Sequence, residues 1–172
     1  MAVLLLFSLG VRAAAAGSPD HKIGNTVEHG GGMHLTVGAK GSYLAALDHG
    51  HTSHLGGGGI FAEVMVIPEW LEIELEVRIF SGHGTSLPID LLFKKPFHLS
   101  SKTDFFLGVG PTVVPVFAPG GNTTHFGGAF VAGIYYWLTP HLGVVLEADY
   151  NLISSHGAVH ELGSGVGFAY KL

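Results

Sequence analysis

The chain has 172 residues, of which only 12% are Asp, Glu, Lys or Arg, about half the share usual in a soluble globular domain. Its formal net charge of −5 and its 8 Lys plus Arg argue against nucleic acid as a partner, and the lack of cysteine excludes disulfides and thiolate metal sites. Apart from an N-terminal segment, no apolar run approaches the roughly 20 residues of a membrane-spanning helix.

The N-terminal segment is typical of a secretory signal peptide, which we predict over residues 1–16. Residues 2–11 form a short apolar core, and alanines precede Gly17 in the small-residue pattern of a cleavage site. The segment lacks a basic start and carries Arg12 after the core, so a buried first helix or strand is the alternative. Residues 17–32 are polar, contain glycine and show no period, which predicts a flexible lead-in.

Residues 71–80, LEIELEVRIF, place a charge at every second position between large aliphatic side chains. In a helix these charges would scatter around the cylinder, whereas a strand gathers them on one face and leaves the other face aliphatic. The segment is therefore predicted to be a strand. It fits a half-buried strand of a soluble sandwich, and it fits a membrane-barrel strand with lipid on one side and the lumen on the other.

The same alternation recurs along the chain in segments of about ten residues. An even number of such strands favours an all-β fold, a single eight-stranded antiparallel up-and-down transmembrane β-barrel that covers residues 33–172. The predicted strands are residues 33–46, 60–67, 71–80, 87–95, 105–117, 126–138, 142–153 and 161–172.

The connections between these strands differ in composition. Residues 68–70 and 139–141 are predicted tight turns, and residues 96–103 form a longer connection on the same side. The other side is predicted to carry longer loops rich in Gly, His, Asn and Ser, at residues 48–59, 81–86, 118–125 and 154–159. Short turns on one side and long loops on the other are typical of outer-membrane barrels.

Aromatic residues gather at the predicted strand ends. Each one alone is as consistent with a core position, but together they favour an interfacial girdle. Those beside the tight turns or the C-terminus are Trp70, Phe97, Tyr136, Trp137 and Tyr170, and those near the other end are Phe80, Phe117 and Phe126.

Three stretches, FFLGVGPTV, GIYYWLTPHLGVVLEADY and the ending GVGFAYKL, resemble the small eight-stranded outer-membrane proteins of Gram-negative bacteria, of the OmpA-barrel and OmpW-like kind. The ending is similar to the C-terminal signal that the barrel-assembly machinery reads, with Leu where Phe is usual. The residues that carry this assembly signal are Val166, Phe168, Tyr170 and Leu172.

The resemblance implies a location in the cell outer membrane and a monomeric barrel. It implies outer-membrane lipid and lipopolysaccharide as surroundings, and the barrel-assembly machinery and periplasmic chaperones as transient partners. No cofactor is expected. Because one fold hosts many functions, the resemblance does not by itself identify an activity.

Charged residues are predicted to face the lumen, where eight strands leave just enough room for side chains. Buried charges must be paired or hydrated, so the lumen is expected to be polar and largely plugged. The predicted lumen network is Lys40, Glu63, Glu72, Glu74, Glu76, Arg78, Asp90, Lys94, Glu147, Asp149, Glu161 and Lys171.

Hairpin register predicts particular neighbours within this network. Asp90 is expected opposite Arg78, and Lys94 is expected opposite Glu72 and Glu74. Glu63 is expected to lie near Glu76. The glycines of the last strand, at positions 163, 165 and 167, are expected to face inward and to leave room for larger neighbours.

The sequence holds 12 histidines, several of them in the predicted loops. His49, His51 and His54 share the first loop and are the candidate ligands for a metal such as zinc, copper or nickel. Their spacing matches no tight ligand motif, and ordering a flexible loop opposes binding. The alternative is that they are solvated polar residues.

An outer-membrane enzyme that modifies lipid A is a further alternative. Ser154, Ser155, His156, His160 and Glu161 supply the residue types of a nucleophile, a base and an acid close to the predicted outer leaflet. Ser and His are common in such loops, and no motif of those enzymes is recognisable. We therefore predict that the protein is not an enzyme.

A soluble periplasmic ligand-binding barrel is the last alternative, and it would turn the charged faces outward. Low total charge and the aromatic girdle favour the membrane barrel. Its expected role is structural, adhesive, or passage of a small solute through the lumen or the wall. Pro111 and Pro115 in the fifth predicted strand each remove a ladder hydrogen bond, which marks them as the place where the wall would open.

Overall fold

The structure, a computed structural model, describes residues 34–48, 51–82, 84–154 and 158–172. The predicted signal peptide and lead-in, residues 1–16 and 17–32, lie outside the described residues. Within the described residues no helix is long and apolar enough to cross a membrane.

The prediction of an all-β fold is confirmed. Each strand combines β-branched and aromatic residues with small ones and pairs with its chain neighbour in antiparallel register. The strands are β1 Leu35–Asp48, β2 His51–Ile67, β3 Leu71–Ser81, β4 Thr85–Ser86, β5 Ile89–Ser100, β6 Thr103–Ala118, β7 Gly121–Trp137, β8 Leu142–Ser154 and β9 Ala158–Lys171.

These strands close into a barrel with eight strand positions around its circumference, which we call staves. The short β4 and the long β5 both lie between β3 and β6 and continue one another, so together they make one stave. The last strand β9 pairs with β8 on one side and with β1 on the other, which closes the sheet. Closure removes the free edges that would otherwise expose unpaired backbone groups to lipid.

The stagger of the strands sets the width of the interior. The backbone N–H of Met65 donates to the carbonyl of His34, the residue before β1. If each residue is followed to its cross-strand partner on the next strand, the path that starts at Met65 goes once around the barrel and reaches Gly163. The partner of Gly163 on β1 is Leu44. The sheet therefore closes with a stagger of ten residues, from position 34 to position 44. A barrel of this strand number has an interior that side chains can fill.

Alternation sorts the side chains between two faces. The lipid-type outer wall exposes large apolar groups, among them Ile60 at 66%, Leu146 at 60% and Phe168 at 64%. On β3 the glutamates at 74 and 76 are fully buried in the interior while Leu75 is 49% exposed. Apolar side chains outside and charges inside are the inverse of a soluble ligand-binding barrel, so the fold is that of a membrane-spanning barrel.

The strands run further than the sequence predicted. Residues 48–59, predicted to be a loop, belong mostly to β1 and β2, and residues 96–103, predicted to be a connection, belong to β5 and β6 apart from the turn at 101–102. Glycine, serine and histidine carry the same backbone hydrogen-bonding groups as other residues, so the ladder continues where apolar alternation stops. The segments predicted as loops at 118–125 and 154–159 likewise extend the strands at their ends.

The barrel has two ends, which we name the turn end and the rim. The turn end holds the connections at residues 68–70, 101–102 and 138–141, and the rim holds those after β3 and β6. At the turn end Trp70, Phe97, Tyr136 and Tyr170 are exposed on the outer wall, as a girdle requires. Phe117 and Phe126 are exposed towards the rim.

Two aromatic residues predicted to belong to the girdle point into the barrel instead. Phe80 is 1% exposed and Trp137 is 8% exposed. Strand parity decides this, because Phe80 shares a face with Arg78, and Trp137 shares a face with buried Tyr135. The prediction of girdle positions for these two residues was wrong.

A charge on the outer wall tests which face meets lipid. We expect Ile60→Arg, in the middle of β2, to lower the free energy of unfolding by about 2–4 kcal/mol, because the guanidinium would enter the hydrocarbon core. The matched variant Ile67→Arg, at the turn end of the same strand, is expected to lower it by about 1 kcal/mol or less. The measurement is urea unfolding of the chain in lipid vesicles. Equal losses for the two variants would contradict the assignment of the outer wall to lipid.

Candidate functional site

Among the described residues three basic side chains are buried in the interior of the barrel, and each is surrounded by acids from several strands. Lys94 on β5 contacts the carboxylates of Glu63 and Glu74, the latter at 2.9 Å from Nζ. Its ammonium donates to the Tyr135 hydroxyl at 3.2 Å and lies 3.7 Å from the centroid of the Phe106 ring. This set is the Lys94 cluster, and it joins staves that are far apart in sequence.

The second set, the Lys40 cluster, lies further towards the rim. Lys40 Nζ lies 2.8 Å from Glu147 Oε1 and 2.9 Å from Glu76 Oε1, with Glu74 Oε1 at 3.9 Å. Glu74 thereby connects this cluster to Lys94. The ammonium also lies 5.0 Å from the centroid of the Phe61 ring, within the range of a cation–π contact.

The third set is the Arg78 cluster. The guanidinium donates from Nη2 to Asp90 at 2.7 Å and from Nη1 to Asp149 at 2.9 Å, and Nε lies 3.8 Å from Glu76. Arg78 uses its planar fork to link β5 and β8 across the interior. The three clusters together connect β1, β2, β3, β5 and β8, so they act as cross-links inside the barrel.

Three of the four neighbours expected from hairpin register are found, and one is not. Arg78 pairs with Asp90, Lys94 pairs with Glu74, and Glu72 is the cross-strand partner of Lys94. Glu63 is the cross-strand partner of Glu74 and not a neighbour of Glu76 on that register. A bulge between Met65 and Ile67 shifts the β2–β3 register, which the assumption of a plain tight turn at residues 68–70 did not include.

Glu72, Glu161 and Lys171 lie outside the three clusters. Glu72 lines a small cavity of about 130 Å³ at the turn end, together with Lys171. Lys171 Nζ lies 3.7 Å from the centroid of the Trp137 ring and 3.9 Å from Asp104 Oδ2. Glu161 lies on the rim side, where Asn151 Nδ2 donates to it at 3.4 Å.

Asp104 is a site residue that the sequence analysis missed. It accepts from Trp137 Nε1 at 2.7 Å and contacts His98 Nδ1 at 2.6 Å. The sequence placed it at the edge of a connection, because the strand pattern of β6 was recognised only from Phe105 onwards. Its position beside a buried tryptophan depends on pairing between β6 and β7, which the local sequence does not reveal.

The inward glycines of β9 leave space for charged neighbours. A Cβ at Gly163 would collide with the carboxylate of Asp149, and a Cβ at Gly167 would collide with the backbone at Ala39 and with Lys40. Glycine at these two positions therefore lets the Arg78 and Lys40 clusters lie against the wall. This is the role that the sequence predicted for them, whereas at Gly165, the third predicted position, a Cβ would make only ordinary contacts, the shortest of them 3.4 Å to Ser42 Oγ.

The candidate metal ligands are only partly described. His49 lies outside the described residues, as does the side chain of His51. His54 lies on the outer wall near the rim, where its Nδ1 is 2.6 Å from the hydroxyl of Tyr43. Within the described residues no group of three or more His, Asp or Glu side chains is arranged to hold a metal ion.

The described residues that the sequence offered as an enzyme site lie on opposite faces of the sheet. His160 is exposed on the outer wall, where its Nδ1 lies 2.6 Å from the Tyr150 hydroxyl, while the adjacent Glu161 turns towards the interior. Neighbouring strand residues face opposite sides of the sheet, so these two cannot act as a base and its orienting acid. Ser155 and His156 lie outside the described residues.

The residues of the predicted assembly signal share the outer wall. They are exposed by 57% at Val166, 64% at Phe168, 47% at Tyr170 and 65% at Leu172. Their strand pairs with both β8 and β1, so it is the strand that completes the barrel. This placement leaves the side chains accessible from outside the barrel.

Comparison with solved structures identifies the fold. Neisserial surface protein A superimposes with a TM-score of 0.70 at 17% identity, over 80% of this chain and 97% of that one. Ail of Yersinia pestis, the attachment invasion locus protein, solved with the heparin analogue sucrose octasulfate, gives 0.58 at 11% identity over 81% and 99%. The outer membrane protein OprG of Pseudomonas aeruginosa gives 0.58 at 14% identity over 82% and 96%. No family model and no curated protein matches the sequence.

Removal of one base tests the cross-links. We expect Lys94→Met to lower the free energy of unfolding by about 3–5 kcal/mol, because it leaves Glu63 and Glu74 buried without their partner. The adjacent Lys95 points away from the interior and contacts the backbone carbonyl of Glu69. Lys95→Met is therefore the matched control, with an expected loss below about 1 kcal/mol. Urea unfolding in lipid vesicles compares them, and a loss at Lys94 no larger than that at Lys95 would contradict the role of the cluster.

Proposed function

We propose that this chain is an integral outer-membrane barrel without an open pore, which acts at the cell surface through its rim in an adhesive role. The apolar outer wall requires a bilayer around the barrel. The fold shared with a surface protein, an attachment protein and an outer membrane protein supports the outer membrane as that bilayer.

The contents of the interior support the absence of a pore. Three clusters of buried, paired charges occupy its middle, and a solute would have to separate these pairs in order to pass. Towards the rim lie four further buried apolar side chains from four strands, each at most 5% exposed. They are Leu44, Phe80, Val114 and Ile153. The paired charges across the middle are the single observation on which the proposal depends most.

The wall around the two strand prolines offers no support for lateral passage. Pro115 pairs with Thr124 in the ladder, and its carbonyl accepts from the backbone N–H of Leu87 at 2.9 Å. At Pro111 the β5–β6 ladder is interrupted between the pairs Asp90–Thr112 and Phe93–Val109, but a Cβ at Gly110 would collide with the carbonyl of Leu91, so the two strands still lie close together there. The role of small-solute passage is therefore the less favoured candidate.

The rim supports an adhesive role. Strands β2 and β7 each contain 17 residues, whereas about 9–11 are enough to cross a membrane. Their hairpins with β1 and β6 therefore project beyond the bilayer. Residues 45–56 and 114–126 contain His, Ser, Thr and Asn but neither Lys nor Arg. Such a surface suits a partner recognised through uncharged hydrogen bonds, for example a neutral glycan or a polar protein surface.

Conductance tests the absence of a pore. We expect the refolded chain to give no discrete conductance steps in a planar lipid bilayer, because the charge clusters and the buried apolar side chains on their rim side obstruct the lumen. A porin incorporated in the same way is the positive control, and protease protection of the barrel strands verifies insertion. Regular, voltage-independent steps from the inserted chain would overturn the proposal of a closed barrel.

Truncation of one rim hairpin tests the adhesive role. Val116 and Thr123 face each other in the ladder, two residues along each strand from the pair Ala118–Gly121 that closes the native turn, so residues 117–122 can be replaced by an Asn-Gly turn without a change of register. We expect bacteria that display this variant to lose adhesion to host-type surfaces at least fivefold relative to the full chain. Heat-dependent gel migration must show equal folding of the two forms. Adhesion of the variant equal to that of the full chain, or adhesion of the full chain no greater than that of cells without the protein, would favour a purely structural role.

A further inference from the structure

Two Tyr–His pairs with the same geometry lie on the outer wall near the rim. In the β1–β2 hairpin the Tyr43 hydroxyl lies 2.6 Å from His54 Nδ1, with ring centroids 5.8 Å apart. In the β8–β9 hairpin the Tyr150 hydroxyl lies 2.6 Å from His160 Nδ1, with ring centroids 6.0 Å apart. Two hairpins thus fix an imidazole in the same way.

Both imidazoles lie at the height of lipid headgroups. His54 is the cross-strand partner of Ala45, and His160 is the cross-strand partner of Leu47 on the same strand. These positions are ten and twelve residues beyond Leu35 at the turn end. With a rise of about 3.3 Å per residue and a strand tilt of roughly 40°, they lie about 25–30 Å from the turn end, where the apolar band of such barrels ends.

The hydroxyl contact determines which nitrogen each histidine presents. Two ring forms that fit this contact carry a proton on Nε2: the neutral ring whose Nδ1 accepts from the tyrosine hydroxyl, and the charged ring whose Nδ1–H donates to it. The third form, a neutral ring whose Nδ1–H donates to the hydroxyl, leaves Nε2 as an acceptor and is not the form that would bind an anion. Either of the first two forms keeps an N–H donor available for a ligand. Such donors bind phosphate oxygens well, and residues 45–56 and 152–160 contain no Lys or Arg that would compete.

An apolar groove adjoins each pair on the membrane side. One groove of about 440 Å³ is lined by Tyr43 and has a low floor of Gly41, Gly56 and Ser164. The other, of about 930 Å³, is lined by Tyr150 and has a low floor of Ala132 and Ala148. Small residues between large ones leave space along the wall for hydrocarbon chains. Each tyrosine therefore marks the boundary between a groove for acyl chains and a donor for a headgroup.

We infer that this face binds lipid A, the phosphorylated, multiply acylated glycolipid anchor of lipopolysaccharide, with phosphates on the Nε2–H groups of His54 and His160. The two histidines lie on β2 and β9 with β1 between them, which separates them by two strand spacings, roughly 10 Å. Two separate donors above two grooves suit a headgroup with two phosphates and several chains better than a glycerophospholipid with one phosphate and two chains. The inference rests on the proposed outer-membrane location and is independent of the closed lumen and of adhesion.

The experiment measures lipid retention by the full chain, purified in detergent and examined by native mass spectrometry. The probes are bisphosphorylated lipid A, monophosphorylated lipid A and phosphatidylglycerol. We expect the wild type to retain bisphosphorylated lipid A in preference to the other two. We expect His54→Phe combined with His160→Phe, which keeps aromatic rings but removes both donors, to weaken retention at least tenfold. The matched control is His125→Phe, since His125 is a rim histidine that contacts Thr123 on its own strand.

A second variant distinguishes the role of the histidine N–H donors from that of the tyrosine hydroxyls. Tyr43→Phe combined with Tyr150→Phe keeps both imidazoles and frees Nδ1, and it should weaken retention by less than the histidine variant does. Heat-dependent gel migration verifies folding of each variant. Lipid A retention that is unchanged in the histidine variant, or retention of phosphatidylglycerol equal to that of lipid A by the wild type, would overturn the inference. Either outcome would leave the conductance and adhesion results unaffected, so this failure is distinguishable from failure of the proposed function.

Discussion

Pairing of charges inside a barrel that excludes bulk water is the constraint on which the rest of this structure depends. Eight staves leave an interior of side-chain width, so the acids on β3 and β8 must find bases within it. Lys40, Arg78 and Lys94 meet this need from three different strands. Because each base contacts acids from at least two staves, the same contacts that neutralise charge also fix the relative positions of the strands.

Because charge pairs fill the interior, two surfaces of the barrel remain available for contacts with other molecules: the outer wall and the rim. The outer wall is apolar from the turn end to the level of Tyr43 and Tyr150, and beyond these tyrosines His54 and His160 lie among exposed apolar side chains such as Leu47, Leu152 and Phe126. The rim hairpins continue past this level as paired strands. Function in such a molecule is therefore expected where the wall meets the outer leaflet and where the hairpins meet the surroundings, in agreement with both proposals above.

Local patterns in the sequence predicted much of this architecture. Alternation in LEIELEVRIF and in β8 indicated strands with one charged and one aliphatic face, and the count of such segments indicated an eight-stranded barrel. Apolar alternation failed to predict strands where the strands leave the bilayer. Beyond the bilayer no apolar face is needed, so residues 48–59 and 118–125 were taken for loops although they continue the ladder. Parity, and not proximity to a turn, turned Phe80 and Trp137 inward.

The sequence by itself determined which residues share a face, because a strand has a period of two whatever it pairs with. Only the tertiary structure decided which faces meet. The bulge after Met65 set Glu63 against Glu74, and closure of β9 on β1 brought Gly163 and Gly167 beside Asp149 and Lys40. The Tyr–His pairs and the grooves beside them likewise arise between strands. Such contacts depend on register and curvature, which are properties of the closed sheet and are not encoded in any single segment.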